Sequence, residues 1–292
     1  MLEHFPFGFD NHFPGKKKSV IPRTPLNSNG KFHEVSSDRH EKLGKQALDM
    51  GDIGLPIYGY KDKWSDTIPF IQFVPDSRTA AAICHLYPDF IETTGGIPIQ
   101  MTMDKGSEIG WQYAIQDALR HTFAPDIKPE VYPVCRLIKS VHNTIIEAFW
   151  RWFKEKMGPN FKAVILVGKD QRIFSTNVEF HLGNWKSSAC GGTITVYAPN
   201  RTRICLLGTY PQMHLTIHKT LVALIASLRF YKEVGPRDVH LSWFTAEFNE
   251  LAGNIYKQVG KPIISLETAW DVFEKMLQPM ADFWLRISAV QI

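Results

Sequence analysis

The order of apolar segments in the first half of the chain is the feature that most constrains its fold. Segments with strand or helix patterns follow one another in the order β, β, β, α, β, α, β, α. They occupy residues 32–37, 54–60, 68–74, 78–94, 97–103, 111–122, 133–138 and 140–157. Two adjacent strands joined by a short turn, then a helical crossover to a fourth strand, predict a mixed five-stranded sheet with helices on its faces.

Local signals set some of the boundaries in this α/β arrangement, which resembles the ribonuclease H-like fold. Pro88 removes one backbone hydrogen bond from the first helix and should kink it. Ser140 is the expected N-cap of the last helix, and Gly158 with Pro159 is expected to end it.

The rest of the chain is predicted to form a loose tail and a mainly helical C-terminal extension. The predicted divisions are a tail at 1–32, a catalytic core at 33–160 and an extension at 161–292. Within the extension, the patterns predict a strand, a hairpin and three helices. These elements occupy residues 161–167, 193–207, 212–231, 246–259 and 266–277.

Three acidic residues occupy positions that the predicted sheet would bring together. Asp38 and Asp104 each follow a strand, and Glu147 lies on the helix after the last strand. Because parallel strands that stop at one edge place their terminal side chains close together, we expect the three carboxylates to converge. Like charges raise one another's pKa unless a cation lies between them. Taken singly, however, each acid also fits a solvated surface residue or a turn.

A convergent carboxylate trio is typical of metal-dependent phosphoryl transfer. Hard divalent ions prefer oxygen ligands, so Mg²⁺ or Mn²⁺ is the expected cofactor. Two such ions about 3.5 to 4 Å apart stabilise the attacking and the leaving oxygen of a phosphodiester displacement. The predicted substrate class is therefore nucleic acid.

Several ordered motifs around these acids resemble those of one superfamily. Residues 104–108 (DKGSE) resemble the second-aspartate motif of retroviral integrases and related transposases. Residues 140–147 (SVHNTIIE) resemble their third-acid helix. Residues 33–44 (HEVSSDRHEKLG) and 54–65 (GLPIYGYKDKWS) are closer to a set of fungal integrase-core-like proteins.

The resemblance runs over residues 33–184 and 233–276 and implies a DDE-type core that cuts DNA or transfers a DNA strand. It implies three metal ligands: Asp38, Asp104 and Glu147. Position and residue type add four candidate DNA contacts, because Lys and Arg meet phosphates: Lys105, Lys139, Asn143 and Arg151. Such a protein would act in the nucleus. A targeting module is not evident, so sequence-specific targeting would need a partner or a second copy of the chain.

The chain departs from the family pattern in two informative places. Arg39 follows the first acid where the resemblance leads us to expect glycine, so its guanidinium either pairs with Asp38 or points away. Residues 185–232 do not resemble the family. These departures favour a rival hypothesis, a catalytically inactive, domesticated nucleic-acid-binding protein with the same fold. A ribonuclease with the same acids is a third alternative.

Composition excludes several other classes of protein. With 44% hydrophobic and 21% charged residues the chain is expected to be globular, and its longest apolar run is too short to span a bilayer. A net charge of +4 is compatible with DNA but does not establish it. The four cysteines form no CxxC pair, so we expect reduced thiols and no zinc site. Trp150 and Trp152 are assigned to the core.

Overall fold

The structure, a computed structural model, describes residues 28–41, 56–173, 233–241, 246–265 and 267–290. Predictions for the earlier part of the tail, the hairpin at 193–207, the helix at 212–231 and the unusual stretch 185–232 lie outside these residues. Cys190 and Cys205 lie there too.

A five-stranded mixed sheet forms the centre of the fold, with the strand order β3-β2-β1-β4-β5. The strands are β1 Glu34–His40, β2 Ile57–Asp62, β3 Phe70–Phe73, β4 Gln100–Asp104 and β5 Cys135–Ile138. Strands β1, β2 and β3 form an antiparallel meander, β4 is parallel to β1, and β5 is parallel to β4. The predicted α/β class with a mixed five-stranded sheet is confirmed.

One face of the sheet is covered by helices α1 (Ala80–Thr94) and α2 (Gly110–Phe123). Their apolar side chains share a buried cluster with Val35, Tyr60 and Met101 of the three central strands. Because side chains alternate along a strand, the residues between these positions point to the other face. The acidic positions of β1 and β4 belong to that second face.

The second face is covered by helix α3 (Thr144–Lys156), and helix α4 (Gly158–Asp170) packs beside α3. Phe149 and Phe153 of α3 are buried in one cluster with Ile57 of β2. Apolar residues that recur three and four positions apart form one side of a helix, so this stripe faces the sheet and leaves the opposite side of α3 to solvent.

Three further helices follow in the described part of the chain: α5 (Arg237–Leu241), α6 (Ala246–Gln258) and α7 (Ala269–Val290). Trp270 and Phe273 of α7 are buried in the same cluster as the apolar stripe of α3. Helix α7 therefore contributes to the packing that holds α3. None of the helices in the described ranges combines the length and apolar character that a membrane crossing needs.

The boundaries of β1 and α7 differ from the predicted ones. Asp38 does not end a strand, because β1 continues to His40. Helix α7 begins at Ala269 and continues well beyond the predicted end at residue 277. Pro88 lies inside α1, as predicted.

The prediction of a strand at 161–167 is wrong, because these residues lie inside α4. Phe161 and Ile165 are buried, and their spacing of four residues places them on one side of a helix. A short apolar run suits a buried helix as well as a strand, which is why the sequence pattern misled us. The predicted domain boundary after residue 160 therefore falls within α4.

The predicted start of α3 is also wrong. Ser140 belongs to a short 3₁₀ turn at Ser140–His142, and Asn143 is the N-cap residue of α3. The pair Gly158 and Pro159 ends α3 as expected, but it also opens α4. A proline at the first turn of a helix sacrifices only an amide that would have no helical partner there.

Candidate active site

The register of the two central parallel strands brings Asp38 and Asp104 side by side. Ser36 of β1 is level with Thr102 of β4. Asp38 and Asp104 each lie two residues further along, so they are level with each other and point to the same face of the sheet. Adjacent strands lie about 4.8 Å apart, which leaves the two carboxylates as close neighbours.

Helix α3 brings the third acid to the same edge of the sheet. Glu147 lies in the first turn of α3, where its backbone amide donates to the Asn143 carbonyl (3.1 Å). Its side chain is half-buried. Asp104 and Glu147 both raise the pKa of Asp38 electrostatically. The three acids are thus near enough to influence one another electrostatically, while their convergence on one metal site stays a prediction.

Asn143 connects the helix to both strands. Its side-chain Nδ2 donates to Asp104 Oδ1 and to the Ser37 carbonyl oxygen, each at 3.3 Å. The residue is only 2% exposed. Its Oδ1 is buried and has no hydrogen-bond partner within the described part of the chain. An amide that reaches both strands fixes the position of Asp104, and it leaves one unsatisfied oxygen beside the acids.

Asp38 is the most buried of the three acids, with 8% of its surface exposed. Oδ1 accepts the Arg39 backbone amide (2.8 Å), and Oδ2 accepts the indole Nε1–H of Trp150 (3.1 Å). Burial and, after it, the charges of Asp104 and Glu147 raise the pKa of Asp38 to about 7. The two donors oppose that shift because they favour the charged form.

Trp150 is held tightly where it meets Asp38. It is 1% exposed, and its ring stacks on the His40 ring with centroids 5.0 Å apart. The indole also lies against the backbone of Gly59 in β2, where an added Cβ would come within 2.8 Å of the ring. Only glycine leaves room for the indole at this position. The prediction that Trp150 belongs to the core is correct but incomplete, because its contact with Asp38 was not predicted.

The guanidinium of Arg39 points away from the carboxylate of Asp38. Its Nη1 lies 3.2 Å from Glu108 Oε1, and its Nε lies 3.8 Å from Glu41 Oε1. Neighbouring residues of a strand point to opposite faces, so Arg39 is on the α1 and α2 side of the sheet. Of the two alternatives left open by the sequence, the structure therefore has the arginine paired elsewhere.

The four predicted DNA contacts have different environments. Lys105 and Lys139 follow β4 and β5, and the Lys105 backbone amide donates to the Ile138 carbonyl at 3.1 Å, so the two lysines leave the sheet together. Both are exposed, as is Arg151, one turn beyond the third acid on α3. Asn143 is buried and its side-chain N–H group donates inside the protein, so it presents no surface to DNA.

The donor chemistry of the site suits a hard divalent cation. Carboxylate and amide oxygens are the ligands that Mg²⁺ and Mn²⁺ prefer, and Asn143 adds a buried oxygen without a partner. Within the described ranges, however, no three His, Cys, Asp or Glu side chains stand close enough together to form a ligand set. Coordination of an ion by all three acids would require their side chains to draw together.

The spacing of Trp150 places it near the third acid on α3 but does not predict its hydrogen bond to Asp38. It lies three residues after Glu147, so both side chains project from neighbouring positions on α3.

In comparisons with known proteins, no protein-family model matches the chain, and no curated protein is similar enough to count as a match.

Proposed function

We propose that this chain is an integrase-like catalytic core that cuts or joins DNA strands with the help of divalent metal ions, and that it acts in the nucleus. The single observation that carries the proposal is the meeting of Asp38, Asp104 and Glu147 at one edge of the sheet, on two adjacent parallel strands and the helix that covers them. The resemblance of the motifs around these acids to DDE integrases points in the same direction.

The strand order supports a ribonuclease H-like fold for this core. A meander of three antiparallel strands, with two parallel strands added beside the first one, is compatible with that fold. In this arrangement the first and fourth strands are neighbours at the centre of the sheet. Acids on both of them, with a third on the following helix, are what a DDE-type site requires.

Asp38, Asp104 and Glu147 would hold two Mg²⁺ or Mn²⁺ ions in the proposed site. Bound ions of this kind activate water or a DNA 3′-hydroxyl and neutralise the charge that develops on the phosphate. Asn143 would keep Asp104 in place through the hydrogen bond to Oδ1. A cation between the acids would also offset the repulsion that now raises the pKa of Asp38.

The exposed cations beside the acids are suited to the DNA backbone. Lys105 and Lys139 leave the sheet at the edge that carries Asp104. Arg151 is exposed on α3, one turn beyond Glu147. Phosphate contacts of this kind orient a duplex without reading its sequence. We propose these three residues as the DNA contacts, and a partner protein or a second copy of the chain as the source of any target specificity.

A second candidate function is nucleic-acid binding without catalysis. It is favoured by the state of Asp38, whose two oxygens already accept hydrogen bonds from Arg39 and Trp150 and whose charged form is disfavoured by burial. The three acids are also not drawn together as a ready ligand set in the described part of the chain. An inactive relative would keep the exposed lysines while losing metal affinity.

Cleavage and strand transfer on duplex DNA with Mn²⁺ distinguish the two functions. The parent protein is compared with Asp104→Asn and with Glu147→Gln, each of which removes one charge from the proposed site. Glu155→Gln is the matched control, because Glu155 is an exposed acid two turns further along the same helix. Equilibrium DNA binding is measured on all four proteins.

We expect the parent and the Glu155→Gln control to produce the same products and the two site variants to produce none, with DNA binding retained throughout. Equal products from Asp104→Asn and from the parent would reject the catalytic proposal. Binding of DNA by all four proteins without products from any of them would instead support the inactive alternative.

A further inference from the structure

We infer that Trp150 is a positioning residue of the candidate site: its indole N–H holds the Asp38 carboxylate in the orientation that faces the other two acids. The consequence for metal binding rests on the function proposed above. The hydrogen bond from Nε1 to Asp38 Oδ2 is 3.1 Å long and joins two buried side chains.

The indole of Trp150 is held beside the carboxylate of Asp38. Its ring is fixed on one side by stacking on His40, on another by the close approach to Gly59, and along the helix by Phe149 and Phe153. A buried indole N–H without an acceptor would be costly, so the bond to Asp38 is favoured by both partners. An indole nitrogen only donates, so the direction of this hydrogen bond is fixed from Trp150 to Asp38.

The bond also sets how much of the carboxylate stays available to a ligand. An ionised carboxylate offers roughly four lone-pair sites on its two oxygens. The Arg39 amide takes one site on Oδ1 and the Trp150 indole takes one on Oδ2. About two sites remain. A metal ion shared with Asp104 and Glu147 would use these remaining sites.

The same bond fixes the rotation of α3. Glu147 and Trp150 are three residues apart, so their side chains lie on neighbouring parts of the helix surface. When Trp150 is tied to β1 through Asp38, the direction in which Glu147 leaves the helix is set as well. One hydrogen bond thus relates the first acid to the third.

Trp150→Phe tests this role, because it keeps an aromatic ring and removes the N–H donor. Trp152→Phe is the matched control: Trp152 lies on the same helix, is half-buried against Phe149, and is two residues away, on the other side of the helix axis. Mn²⁺ affinity is measured by electron paramagnetic resonance of the free ion. Loss of a residue that orients a metal ligand lowers affinity about 10- to 100-fold, and we expect that loss for Trp150→Phe alone.

A measurement without metal tests the inference even if Trp150→Phe does not fold. The eight indole N–H resonances of the parent are assigned by triple-resonance spectroscopy and compared with those of Asp38→Leu, which lacks an acceptor. We expect the Trp150 resonance to move upfield and the Trp152 resonance to stay in place.

The inference is overturned if the Trp150 resonance is unchanged in Asp38→Leu, or if a folded Trp150→Phe binds Mn²⁺ as tightly as the parent. Failure of the parent itself to bind Mn²⁺ would count against the proposed function instead. The metal-free spectra would in that case still decide whether Trp150 holds Asp38.

Discussion

Asp38→Asn should change the dependence of stability on pH in metal-free solution. The pKa of Asp38 is raised from 3.8 to about 7 in the folded protein. Between about pH 4 and pH 7 the folded state therefore keeps a proton that the unfolded chain has lost, and stability falls as the pH rises through this window. A shift of about 3 units corresponds to a loss of about 4 kcal/mol, complete above about pH 7.

Because asparagine carries no charge, Asp38→Asn does not undergo this fall in stability as the pH rises. It has a single side-chain oxygen, so either the Arg39 amide or the Trp150 indole loses its acceptor, at a cost of about 1 kcal/mol at every pH. We therefore expect Asp38→Asn to be about 1 kcal/mol less stable than the parent near pH 4 and about 3 kcal/mol more stable near pH 8.

Urea unfolding followed by circular dichroism from pH 4 to pH 8.5, with a chelator present, measures the difference directly. Asp117→Asn is the control, since Asp117 is a partly exposed acid on α2, away from the site. A stability difference between Asp38→Asn and the parent that stays constant over the whole range would refute the reasoning. It would mean that the neighbouring acids and the burial of Asp38 do not disfavour its charge.

Three further outcomes are expected. Gly59→Ala should lower the free energy of unfolding by about 1 to 3 kcal/mol in urea titrations, because a Cβ there would meet the buried indole; an unchanged value would contradict the close approach. Lys139→Ala should reduce the slope of log affinity for duplex DNA against log salt by about 0.9, while Lys128→Ala, an exposed lysine in the loop before β5, should leave it unchanged. Arg39→Ala should cost about 1 to 2 kcal/mol of stability by leaving Glu108 buried and unpaired. Adding Glu108→Gln should restore part of this loss, and strictly additive changes in the free energy of unfolding would argue against the ion pair.

The central sheet could be predicted because its signals are local. Strands β2 and β3 lie in short apolar and aromatic runs separated by turn residues, and the predicted hairpin corresponds to them. The helix at Ala246–Gln258 was found from its periodicity for the same reason. The run at 161–167 was misassigned because its apolar residues lie on several sides of the helix, Val167 being 46% exposed, and this hides the period that distinguishes a helix from a strand.

The proximity of the candidate acids could be predicted from the sequence, but the contacts that hold them could not. Asp38 and Asp104 could be placed together because parallel strands fix which residues are level. The contacts of Asn143 and Trp150 depend on how α3 rotates and docks on the sheet, which is decided by tertiary packing and not by spacing along the chain. The direction of Arg39 was open for the same reason, since its partner Glu108 comes from a different element.

The apolar side of α3 is shared with a helix that begins more than a hundred residues later in the chain. Trp270 and Phe273 lie behind the helix that carries Glu147, in the same cluster as Phe149 and Phe153. An expression fragment trimmed to the sheet and its first helices would strip this backing away. Glu147 would then lie on a helix whose apolar side is exposed to water, so the position of this acid in the candidate site depends on a segment far along the chain.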